Sequence, residues 1–139
     1  MTPTYKIPGF DFTFKRVLRL DRVEGVFKKK PKKNDPKDIF SKVMYEDYDE
    51  DLGNEQCGVA IVVQGGEKLL YCNAFTNRRF ATTWLYTTSK HLYKLCNELA
   101  EIIMKEKRSV EIYLIVSENA ESAKIIAADI INKSRPPLN

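Results

Sequence analysis

The 139-residue chain contains one histidine, His91. A general base needs a proton within reach and, in most sites, a neighbour that orients the ring. No adjacent Ser, Cys or Asp forms a recognisable motif with His91. A surface or packing role in the first turn of a helix is the simpler reading. Asp47, Asp49 and Asp51 alternate and Gly53 follows, as in the start of a calcium loop. The glycine comes late and the closing acid is misplaced, so a solvated acidic turn is expected instead. Cys57, Cys72 and Cys96 are odd in number and lack a CxxC pair. They read as three reduced thiols in a cytosolic or nuclear protein, not as a disulfide frame or a zinc site. Gly65-Gly66 lacks the Gly-Lys-Ser/Thr ending of a phosphate loop. No catalytic, cofactor-binding or metal-binding residue is assigned on this basis. No cofactor is expected, and no enzyme activity.

Polyanion contact is the remaining chemistry. Lys28, Lys29, Lys30, Lys32 and Lys33 place five lysines in six positions, interrupted by Pro31. Arg78 and Arg79 stand close to Trp84 and Tyr86. Basic residues beside aromatics can hold nucleic acid by charge and stacking. Phe80, Trp84 and Tyr86 share strand parity, however, so burial is the expected role of the aromatics. The charge is also divided. Residues 1–33 hold ten Lys or Arg against three acids, whereas residues 46–55 hold six acids and no base. The two blocks lie close enough in sequence to neutralise each other in part, which weakens the case for a free polyanion-binding arm.

The elements that would position these residues follow from periodicity. Phe10, Phe12, Phe14, Leu18 and Leu20 share one parity, with Arg16 as the exception, which predicts a half-buried strand. Asp35-Pro36 reads as a helix cap, with Ile39, Phe40, Val43 and Met44 on one face of a short docked helix. Residues 45–56 read as an acidic surface loop, so that residues 28–56 form a charged insertion in one domain spanning 1–139. Residues 57–75 predict a hairpin about Gly65-Gly66. Pairing Gln64 with Glu67 sets Ile61 opposite Leu70 and Val62 opposite Leu69. Both faces of this hairpin are apolar, so its sheet should be covered on both sides, one cover being available to a partner protein.

Residues 80–86 read as a short strand. Leu92, Leu95, Cys96, Leu99, Ile102 and Ile103 predict a helix over 90–107, Val110 to Val116 a buried strand, and Asn119 the cap of a last helix. The passage from Phe80 to Val116 suggests a parallel crossover. The expected class is α/β (α+β), with one mixed, mainly antiparallel sheet, two main helices on one face and a short extra helix. No apolar run is long enough to span a membrane, and residues 1–10 lack the apolar stretch of a secretory signal.

The segment TTWLYTTSKHLYKLCNELAEIIMKEKRSVEIYLIVSENAESAKIIAADIIN, residues 82–132, resembles the C-terminal half of the small proteasome assembly chaperones. These pair as heterodimers and guide α-ring formation. The shared pattern is a short strand, a Thr/Ser-rich lead into a long helix, a strand of aromatic and β-branched residues, and a last helix. GVAIVVQGGEKLLYCNAF resembles the hairpin that precedes it there. The charged N-terminal third departs from the family's compact start, and no functional residue is carried over. The resemblance implies a non-enzymatic protein-binding factor, with a related subunit and proteasome α-subunits as partners. The readings weighed against it are a nucleic-acid-associated factor using the basic residues above and a longin- or profilin-like trafficking module.

Overall fold

A computed structural model of the protein describes residues 3–22, 43–84, 90–106 and 108–139. The lysine run, residues 35–42 of the expected docked helix, and Tyr86 lie outside the described residues. In chain order the elements are β1 (Thr4–Tyr5), β2 (Phe14–Arg22), β3 (Val43–Glu46), α1 (Glu50–Gly53), β4 (Cys57–Gln64), β5 (Lys68–Thr76), α2 (Phe80–Trp84), α3 (Lys90–Glu106), β6 (Val110–Val116) and α4 (Ala120–Ser134). The strands form one sheet in the order β1-β2-β6-β4-β5, and β3 pairs with the end of β2. Every described pairing is antiparallel. The fold is α+β, as expected.

Strand alternation divides the core into two layers. Ala60 and Val62 of β4, with Val110, Ile112 and Leu114 of β6, meet Leu95, Leu99 and Ile103 of α3. Val59, Ile61 and Val63, with Tyr113, meet Ala123, Ala127 and Ile130 of α4. The two main helices therefore lie on opposite faces, not on one. This arrangement explains why β4 is buried along almost its whole length. It also supplies both covers of the hairpin from the chain itself.

Two β-bulges set which residues face which layer. Val17 is the extra residue between Arg16, opposite Tyr113, and Leu18, opposite Ile112. Val17 and Leu18 both enter the α3 layer, while Phe14 stays in the α4 layer. The bulge resolves the exception at Arg16, because the parity changes there. Leu70 is the second extra residue, between Leu69, opposite Val63, and Tyr71, opposite Val62. The expected hairpin register is thus corrected. Gln64 pairs with Lys68 and Ile61 with Cys72, across a turn in which Gly65 and Gly66 have φ of +58° and +71°. Each bulge directs a carbonyl to an N–H outside the ladder. Val17 O accepts from Asp49 at 2.7 Å, and Leu70 O accepts from Leu138 at 2.9 Å.

Three further expectations change. Residues 80–84 are helix α2, not strand. Phe80 and Trp84 stand four apart, a spacing that suits either period, and their rings stack at 5.7 Å. Val43 and Met44 belong to β3, not to a helix. The acidic stretch after them forms the end of β3 and α1, whose N-cap Asp49 accepts from Leu52 N at 3.1 Å. Of the expected charged insertion at 28–56, Val43–Glu46 thus joins the sheet as β3, and residues 47–56 lead through α1 to β4. The crossover runs from β5 to β6, which point the same way but are separated by β4.

Candidate functional site

α4 packs on β4 and β5. The same sheet face continues onto β6, β2 and β3, where charged residues follow the apolar Phe14 and Tyr113. Arg19 sits between Leu18 and Leu20, which point into the α3 layer, so Arg19 points the other way. Its backbone partners are Glu111 on β6 and Glu46 on β3. Arg16, opposite Tyr113 and just before the bulge, shares that face. Register alone therefore gathers two arginines and two glutamates, and Asp47 follows directly after β3.

These groups pair with one another. Arg19 Nε donates to Glu46 Oε1 at 2.9 Å, and a second guanidinium nitrogen reaches the same oxygen. Arg16 Nη2 donates to Asp47 at 3.3 Å, and its Nη1 lies 3.9 Å from Glu111 Oε2. The Tyr113 hydroxyl donates to Glu111 Oε2. Tyr5 packs on Tyr113 with centroids 5.7 Å apart and donates to Glu67 O at 3.3 Å. Burial pushes the Tyr113 hydroxyl well above its ordinary pKa, helped by the hydrogen bond to Glu111 and that carboxylate's charge and opposed by Arg16. Burial also raises Tyr5. The side chains of Asp47 and Arg19 are 55% and 34% exposed. Such pairs contribute modestly to stability but hold the charges in fixed places.

The residues singled out in the sequence lie elsewhere. Lys28, Lys29, Lys30, Lys32 and Lys33 fall outside the described residues. Arg78 and Arg79 are exposed in the turn between β5 and α2. Arg79 Nη1 is held by Asn54 Oδ1 at 3.2 Å. Trp84 is buried at 3% exposure and packs edge-on to Tyr71, so it offers no stacking surface to a base. His91 is exposed, and its Nε2 lies 2.7 Å from the Tyr71 hydroxyl. Asp47 and Asp49 are used by Arg16 and by the α1 cap, respectively. Among the described residues, no three potential metal ligands cluster. Neither Cys57 nor Cys72 is in a disulfide, and burial pushes the Cys72 thiol up to about 12. No helix among the described residues is long and apolar enough to cross a membrane.

The charged face is not apparent from the sequence alone. Its signal was present in Arg16, which broke the alternation, and in acids that could answer it, but strand pairing was needed to find the partners. Comparison of the chain with known protein families, curated proteins and solved structures gives no match.

Proposed function

We propose that the protein is a non-enzymatic binding factor for other proteins, and that the charged face of β2, β3 and β6 is where a partner docks. The observation that carries this reading is the composition of that face. Arg16 and Arg19 stand beside Glu46, Asp47 and Glu111, with both signs interspersed and both arginines engaged by carboxylates. A nucleic acid would meet a surface that is slightly negative, and its phosphates would have to displace carboxylates. A protein surface of complementary pattern can match both signs, which gives specificity and orientation more than raw affinity.

An exposed apolar sheet face was the expected basis for protein binding, and it is absent among the described residues. There, the large apolar side chains exposed by more than a third are Phe12, Val116 and Ile125. The docking surface is therefore polar. In its most concrete form the factor is a proteasome assembly chaperone acting as one half of a heterodimer. The run of hairpin, long helix, strand and last helix favours this form, while the helix at 80–84, in place of the family's short strand, counts against it.

Co-expression with tagged proteasome α-subunits, followed by purification and light scattering, tests the proposal. The expected product is a complex of defined mass containing this chain. A stable monomer that recovers no α-subunit contradicts the chaperone form.

A further inference from the structure

β5 ends the strand order among the described residues, so one row of its main-chain groups faces no described strand. Such edges recruit other strands unless charge, proline or a covering segment protects them. From Leu69 to Thr76 the strand carries neither a charged residue nor a proline. Protection comes from the residues that follow α4. Leu138 N–H donates to Leu70 O at 2.9 Å. The Asn139 carboxamide takes both groups of Cys72: its Oδ1 accepts from Cys72 N at 2.9 Å, and its Nδ2 donates to Cys72 O at 2.7 Å. A carboxamide offers the same donor and acceptor as a peptide unit, so Asn139 stands in for a neighbouring strand. Past it, Ala74 and Thr76 present their main-chain groups on the same side as Cys72, because pairing with β4 is regular from residue 71 to 76.

We propose that Leu138 and Asn139 plug this edge against a second copy of the chain, and that opening the plug lets two β5 strands pair edge to edge. The row suits a copy of itself. About a two-fold axis through Ala74, Cys72 of one strand lies opposite Thr76 of the other, donors meet acceptors and no charges repel. The inference goes beyond the charged face, since β5 lies at the far end of the sheet from β2 and β3.

The test uses the full chain with Asn139→Ala, and a second variant lacking residues 138–139. Light scattering over a concentration series is combined with amide hydrogen exchange. In dilute solution the Cys72 amide of Asn139→Ala should exchange about five- to tenfold faster than in the wild type, the effect of one lost hydrogen bond. With rising concentration the mass should climb toward that of a dimer, and protection should return at Cys72 and Ala74. The shortened variant should dimerise at lower concentration. Monomers at every concentration in both variants, or a dimer whose new protection lies away from β5, overturn the proposal.

Discussion

Tyr113 shows how the charged face is tied to the core. Its ring lies in the α4 layer and its hydroxyl donates to Glu111, which in turn faces Arg16. Tyr113→Phe keeps the packing and removes a hydrogen bond to a charged acceptor. The expected cost is about 1.5–3 kcal/mol in chemical denaturation at neutral pH. The alkaline limb of stability follows from the same neighbourhood. Cys72, Tyr5 and Tyr113 all have raised pKa values when folded. The folded protein holds these protons at pH values where the unfolded chain has released them. Stability is therefore full below the ordinary thiol value of 9.0 and falls as pH rises from there toward about 12. Cys72 alone gives a slope of about 1.4 kcal/mol per pH unit in that window. Denaturation midpoints should be level near neutrality and drop above pH ~9. In Cys72→Ala the drop should begin about one unit later, where the tyrosines titrate. A midpoint that stays level through this range would contradict the buried placement of these groups.

At the level of elements, the parts legible in the sequence were those with one dominant period. The part of the α3 stripe formed by Leu95, Leu99, Ile102 and Ile103, the β6 run and the Asn119 cap are found as read, with Ser122 N donating to Asn119 Oδ1 at 2.8 Å. The parts that were not legible involve a change or coincidence of period. The bulges at Val17 and Leu70 each add one residue and switch faces partway along a strand. Phe80 and Trp84 satisfy strand parity and helix spacing equally. The placement of α3 and α4 on opposite faces depends on the order of strands, which no local pattern encodes. Close approach of elements yields two stability predictions. At Gly58 an added Cβ would lie 2.1 Å from the Ile115 carbonyl oxygen, a backbone atom that cannot swing aside. Gly58→Ala should cost about 3 kcal/mol or more, seen as a lowered denaturation midpoint. Ala127 is 4% exposed on the buried face of α4, and Ala127→Leu should overpack that layer at a cost of about 1–3 kcal/mol. Wild-type stability in both variants would mean that the helix and strands sit further apart than described.

For the whole molecule, the net charge of +4 conceals a basic N-terminal third and a charged face on which acids outnumber arginines. Binding to short DNA or RNA oligonucleotides should be weak, indifferent to sequence and lost steeply with added salt in fluorescence anisotropy. Tight binding near physiological salt that disappears on changing Arg78 and Arg79 would instead favour a nucleic-acid role. The proposed docking face of β2, β3 and β6 would recognise a protein by its pattern of charge. Its most direct test exchanges the partners of one pair, Arg19→Glu with Glu46→Arg, and measures affinity for proteasome α-subunits. The exchange keeps the internal ion pair while reversing the pattern offered to a partner. The expected result is a melting temperature lowered by at most a few degrees, since the carboxylate at position 19 then faces Glu111, and at least about a tenfold loss of affinity, equivalent to about 1.4 kcal/mol. Unchanged affinity in a folded double variant would contradict it.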